Sequence, residues 1–194
     1  MKEIIAIDPG KTGAICRLTL NTDFSIKEFV VEPSLFNKKT ARFDSNNLFY
    51  FLKPSSNKFN NIIGICIEEV HSMFQMSAKS NFTFGRNLGQ IEGVIDFFLT
   101  YPKFGNLEIS YLQPKVWQKV IKEYFPLELE DKWSKEVALK YAIEIMNKLN
   151  LENKDKIQEI FYSKRGRFLD GNVDAFLIAI AYYYKHIYYG TDSI

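Results

Sequence analysis

The sequence predicts an α/β fold in which a mixed five-stranded sheet, a three-stranded antiparallel meander plus parallel strands, is flanked by helices. Three observations point there. Strand-like runs at residues 3–8, 13–20 and 25–32 follow one another across the short turn sequences PGKT and NTDFS, the spacing of a meander. Two later strand segments, IIGICI at 62–67 and residues 107–112, are each followed by a stretch of helical character. The resulting order, βββαβαβα with late helices, is that of a sheet covered by helices.

The first run continues into its turn as IIAIDPGKTGA. Ile4-Ile5-Ala6-Ile7 has the unbroken hydrophobicity of a strand covered on both faces. Asp8 then stands where the core gives way to a turn, and an unpaired charge there is costly. It either caps the turn through backbone amides, the common chemistry of Asp before Pro-Gly, or it holds a cation. Residues 43–52, FDSNNLFYFL, can form a short helix that PSSNKFNN ends. IIGICI follows and also ends in acid, Glu68-Glu69.

Residues 71–80 read as a polar loop. A long helix is expected from Asn81 to Tyr101, with Phe84, Leu88, Ile91, Val94, Ile95 and Phe98 at three- and four-residue steps. Its glycines, Gly85, Gly89 and Gly93, fall every fourth residue, the spacing of a face lying close against another element. Pro114 starts a helix over 114–124, and another is expected over 133–149. A polar, basic segment at 150–169 leads to a final helix, 171–187, rich in Ala, Ile and Tyr. No repeat, low-complexity tract or linker divides the chain, so residues 1–194 are expected to form one domain.

Composition narrows the function classes. The formal net charge is +2, so bulk charge gives no warrant for a nucleic-acid partner and any basic surface must be local. Cys16 and Cys66 are the only cysteines, both in apolar strand contexts, and are expected to be buried free thiols. That suits a reducing cytosol. No run of about 18 apolar residues exists and the N-terminus enters a strand at once, so neither a membrane span nor a signal peptide is expected.

The acids carry the chemistry. Asp8 ends the first strand, Glu68 or Glu69 the fourth, and Asp170 and Asp174 open the last helix in LDGNVDAFLIAIA. Ligands in α/β sheets gather beyond the carboxyl ends of strands, so the first two share one edge if their strands are parallel neighbours. Asp170 and Asp174 lie one turn apart, where two carboxylates repel unless a helix N-terminus or a cation relieves them. Asp170 alone is a plausible N-cap. Together the acids read as a site for hard divalent cations such as Mg²⁺ or Mn²⁺, with no His or Cys cluster to favour a softer metal. Two such ions can activate water and stabilise a leaving oxygen, which makes a metal-dependent phosphoryl-transfer enzyme the expected class.

Four blocks in order, IIAIDPGKTGA, IEEV with FGRNLGQIEGVI, LQPKVWQK and DGNVDAFLIAIAYY, resemble the RuvC-type Holliday junction resolvases, most closely their bacteriophage-type branch. The resemblance runs over about residues 3 to 185. It implies an RNase H-like fold, a homodimer, two Mg²⁺ ions per active site with Mn²⁺ as a possible substitute, and paired nicking of four-way DNA junctions. Position by position it makes Asp8, Glu68, Asp170 and Asp174 the catalytic metal ligands. Strand alternation sends Glu68 and Glu69 to opposite faces, so only one can reach the metals. The final pair stands four apart here against three in bacterial RuvC, which leaves Asp170 the less secure member.

The resemblance also implies that Lys135, in WSKEVA, approaches the scissile phosphate. Lys119 in WQK is similar to an earlier lysine, with Gln118 the alternative. In the loop HSMFQMSAKSNFTFGR, Phe74 could stack on an unpaired base while Lys79 and Arg86 meet phosphates; Phe74 as simple core is the alternative. Lys164, Arg165 and Arg167 in SKRGR are the basic cluster ahead of the acids, either a DNA-backbone contact or a solvated loop. His71 lies near Glu68 but reads as an exposed loop residue, and His186 as packing or surface. The glycine-spaced helix is the expected dimer face, with close packing inside one subunit as the equal alternative.

The expected function is thus a structure-selective DNA endonuclease acting in recombination and repair. Its location would be cytoplasmic, nucleoid-associated, or in a host cytoplasm if phage-encoded. The rival readings are an RNase H-like nuclease for branched DNA, flaps or RNA–DNA hybrids, and a non-catalytic junction-binding protein. An actin-like ATPase fits less well, since the chain lacks a second phosphate-binding loop.

Overall fold

Lys2–Ile7, Ala14–Leu20 and Ile26–Pro33 form strands β1, β2 and β3 of the expected meander. They belong to a computed structural model that describes residues 1–10, 12–33, 43–53, 61–70, 77–100, 107, 109–128 and 132–188. Strand β4, Ile62–Glu68, runs parallel to β1 with Ile7 opposite Ile67, and β5, Ile109–Leu112, runs parallel to β4. The sheet order is β3-β2-β1-β4-β5, so β1 is central and its apolar run is covered on both sides, as its composition requires.

Strand alternation divides the core in two. Ile4, Ala6, Cys16, Leu18 and Cys66 face one layer; Ile5, Ile7, Ile15, Ile65 and Ile67 face the other. The second layer is closed by α1, Ser45–Leu52, and α2, Ala78–Leu99, through Leu48, Leu52, Ile91, Ile95 and Phe98. The first is closed by α3, Pro114–Tyr124, α4, Lys135–Lys148, the short α5, Ile157–Phe161, and α6, Asp170–Tyr183. Helix α6 is apolar all round, and it packs across β1 to β4 with α3, α4 and α5 along its flanks. Phe176, Leu177, Ile178 and Ile180 are fully buried, each contributing roughly 1.5–3 kcal/mol.

Several expectations are corrected. Helix α2 begins at Ala78, three residues early, because Ser77 caps it by accepting from Ser80 N–H at 3.2 Å. Segment 150–169, for which the polar, basic composition named no element, holds a 3₁₀ turn, α5 and a hairpin closed by a bridge between Tyr162 and Phe168. The last helix starts at Asp170 and widens after Tyr183 into a π-type turn, Tyr184–Tyr188. Close packing of the α2 glycines finds no support among the described residues, where a methyl group built at Gly85, Gly89 or Gly93 meets nothing within 4 Å. Both cysteines are buried free thiols, and among the described residues no helix is long and apolar enough to cross a membrane.

Candidate metal centre

The pleat decides which acids meet. Ala6 and Cys66 point to the α6 layer while Ile7 and Ile67, paired across β1 and β4, point away from it. Two-residue periodicity therefore turns Asp8 and Glu68 towards α6 and Glu69 away. Glu69 instead joins the sheet edge through its backbone N–H, which donates to the Leu112 carbonyl at 2.9 Å.

Asp8 caps its turn and also lies among the other acids. Its Oδ1 accepts from Gly10 N–H at 2.8 Å, capping the turn, while the residue is only 8% exposed and faces Glu68, Asp174 and Asp170. Burial and then the Glu68 charge push its carboxyl well above the usual range, against the Gly10 bond. Glu68 is also raised by burial, opposed by a hydrogen bond from Trp117 Nε1 to its Oε1 at 2.9 Å.

Two glycines bring α6 to this edge. A Cβ at Gly171 would lie 2.1 Å from the Thr12 carbonyl oxygen, and one at Gly13 would lie 2.0 Å from the Asp8 carbonyl oxygen. Only bare backbone lets the β1–β2 turn rest on the first turn of α6. The N-cap reading of Asp170 is corrected. Leu169 occupies that position without a side-chain cap, and Asp170 Oδ2 accepts from Lys135 Nζ at 2.5 Å. One helical turn on, Asp174 is pushed up to about 7 by burial, Glu68 and Asp170, with Lys135 opposing. The Asp170 carboxylate in turn raises the Lys135 amine.

The donor set has the chemistry a hard cation takes: four carboxylates from three elements, of which Asp8 and Asp174 are raised by burial and then by neighbouring acids, and Glu68 by burial, with Lys135 paired to Asp170. Among the described residues no three His, Cys, Asp or Glu side chains stand close enough as they are to hold a metal ion together, so a cation would have to draw these carboxylates in.

The other sequence-predicted residues scatter. Lys164 and Arg165 tip the hairpin before α6, which Gly166 closes at φ +71° and Ser163 ties through Gly166 N–H at 2.8 Å. Arg167, on its return, is close enough to Lys135 for their charges to oppose. Lys79 and Arg86 lie exposed on one face of α2 with Phe82 between them, itself 72% exposed. Lys119 lies on α3 in the wall of a hollow of about 500 Å³ shared with Lys115 and Lys185. His186 packs on the Tyr182 ring at 4.7 Å. Phe74 and His71 lie outside the described residues. Sequence reasoning missed Trp117; its place one turn into the helix behind β5, facing the strand that ends at Glu68, was the available signal.

The assembly defines the class of fold first: a meander continued by parallel strands with a buried helix behind β1 is the RNase H-like arrangement. Solved structures that share it include the yeast mitochondrial Holliday junction resolvase Ydc2, with a TM-score of 0.58 and 18% identity over 99% of this chain and 84% of that one. T. thermophilus RuvC in complex with Holliday junction substrate matches at a TM-score of 0.53 and 13% identity, covering 94% and 95%. A second T. thermophilus RuvC structure gives 0.53 and 15%, covering 97% of each chain. No family model and no curated protein sequence matches the chain.

Proposed function

We propose that this chain is a metal-dependent DNA endonuclease that resolves four-way junctions. The observation that supports it is that Asp8, Glu68, Asp170 and Asp174 lie near enough for their charges to act on one another, in a fold shared with a RuvC solved on Holliday junction substrate. Mg²⁺, or Mn²⁺ in its place, would supply two Lewis-acid centres for activating water and stabilising the leaving oxygen. Asp8 and Glu68 present oxygens from the sheet, and Asp170 and Asp174 present theirs from α6. Lys135, at the mouth and exposed, exchanges its partner Asp170 for the scissile phosphate and neutralises charge developing there. The Lys164–Arg165 hairpin tip, just ahead of α6, offers phosphate contacts.

A homodimer supplies the paired cuts, since a two-fold protein presents two such sites to a branched substrate that adopts two-fold symmetry. The open Gly85-Gly89-Gly93 face of α2 supports this, flanked by Phe82 and Phe97, exposed by 72% and 57%. Small residues there admit a second helix at close range while the phenyl rings bury at the rim.

The test is a nicking assay on an immobile four-way DNA junction beside linear duplex, flap and RNA–DNA hybrid, with Mg²⁺, Mn²⁺ or EDTA and with Asp8→Asn. Symmetrical, metal-dependent cuts confined to the junction and lost in the variant are expected. Equal cutting of flap or hybrid moves the protein to a broader RNase H-like nuclease. Binding without cutting under either metal overturns catalysis.

A further inference from the structure

We infer that Trp117 is a positioning residue that fixes the rotamer of Glu68 for its cation; the inference rests on the metal reading above. The indole N–H is a donor with no acceptor capacity and no titration in water, so its bond at 2.9 Å ties Glu68 Oε1 down at every pH and restricts the carboxylate's rotation, leaving Oε2 and the second lone pair of Oε1 for a cation. A buried indole needs one partner, and a main-chain carbonyl would serve any structural purpose. Here the partner is a half-buried carboxylate at the acid edge, reached by a residue 49 positions away.

Trp117 is itself 2% exposed and cannot turn aside. Trp133 meets its ring edge-on at 5.2 Å and 86°, and stacks on Tyr141 at 5.3 Å and 13°. Trp133 also directly precedes Ser134, the cap of α4, and Lys135, its first residue. One aromatic brace therefore fixes the orientation of Glu68 on one side of the site and the start of the helix that carries Lys135 on the other. Groups that orient a metal ligand change affinity roughly 10- to 100-fold when removed.

The test measures Mn²⁺ binding directly, from the loss of the free-ion EPR signal, in the full chain and in Trp117→Phe, Phe161→Leu and Asp8→Asn. Trp117→Phe keeps a six-membered aromatic ring and deletes the pyrrole half with its N–H; it is expected to weaken Mn²⁺ binding by about 10-fold or more. Phe161→Leu, which truncates a fully buried ring of the same core away from Glu68 and Lys135, should stay within about threefold. Wild-type affinity in Trp117→Phe, or an equal loss in Phe161→Leu, overturns the inference while leaving the metal reading intact. No Mn²⁺ binding by the wild type, or binding that survives Asp8→Asn, overturns both together. Should Trp117→Phe not fold, the unaltered protein still decides. Its two tryptophans give two indole N–H resonances, and the Trp117 signal should shift on adding Mg²⁺. A Trp117 signal unmoved by saturating Mg²⁺ overturns the inference.

Discussion

The contact between Gly171 and the β1–β2 turn makes a demanding prediction for Gly171→Ala. The added methyl would stand 2.1 Å from the Thr12 carbonyl oxygen and 2.8 Å from both the Thr12 carbonyl carbon and Gly13 Cα. Carbon contacts are comfortable only at about 3.5 Å, so the turn must retreat by roughly 1 Å. It is backbone on both sides and has no rotamer to yield. Overpacking costs about 1–3 kcal/mol, and against backbone that cannot yield the upper part of that range, about 2–3, applies; better helix propensity returns about 1 kcal/mol, leaving a net loss of about 1–2 kcal/mol. For a chain of this size the melting temperature should fall by roughly 2–8 °C. Activity should fall further, because the turn carries Asp8 and α6 carries Asp174, and a misplacement near 1 Å can cost about 10²-fold in rate. Junction nicking with Mg²⁺, at a temperature where circular dichroism shows the variant fully folded, separates the two effects. A lowered melting temperature with wild-type nicking would refute the claim that this contact sets the spacing of the acids. An unchanged melting temperature would refute the contact itself.

Four further outcomes are expected. The Asp174 carboxyl is raised to about 7. The folded state therefore holds a proton through a window, from about pH 4 to 7, in which the unfolded chain has released it, so metal-free stability falls as pH rises, by at most about 4 kcal/mol. Asp174→Asn should thus melt several degrees above wild type in EDTA at pH 8, lose that advantage below pH 4, and gain nothing from Mg²⁺; differential scanning fluorimetry reads all three. Lys135→Met should keep Mn²⁺ binding by EPR yet slow single-turnover nicking by roughly 10²-fold. Lys164→Ala with Arg165→Ala should weaken junction binding and lower the slope of log K against log salt by about 2 in a fluorescence-anisotropy titration. Gly89→Arg, whose side chain starts in open space, should leave folding intact and give a monomer by sedimentation velocity.

What was legible in the sequence, and what was not, divides along a physical line. Asp8, Glu68 and Asp174 stood out because a carboxylate ending or opening an apolar run breaks the local pattern and needs a reason from outside its own element. The sheet followed from the same local periods: short turns gave the meander, and the helix-joined runs gave the parallel pair. Even the choice of Glu68 over Glu69 is a matter of parity, once Cys66 is known to face α6. Residues that place the acids are different in kind. Gly171 reads in the chain as part of a helix start, yet its use is to lie against Thr12, far away in sequence. Trp117 reads as an apolar position of an amphipathic helix, yet its nitrogen serves a strand three elements back. Helix α5 has five residues, too few to show a period of 3.6.

The same division explains why α6 is so thoroughly apolar. Asp8 and Asp174 are desolvated and raised by neighbouring acids, an arrangement that destabilises the metal-free chain at neutral pH. A helix that must hold Asp170 and, one turn on, Asp174 against such repulsion cannot be secured by that end alone. Its hold comes from the residues behind, Val173 to Ala181, all but Asp174 fully buried against the sheet and its flanking helices. An alanine at Phe176 would leave a cavity and cost about 3–5 kcal/mol without touching an acid. Because α6 is the shared wall of the core, its loss should lower the Mn²⁺ affinity and the melting temperature together, whereas Asp174→Asn should move them in opposite directions.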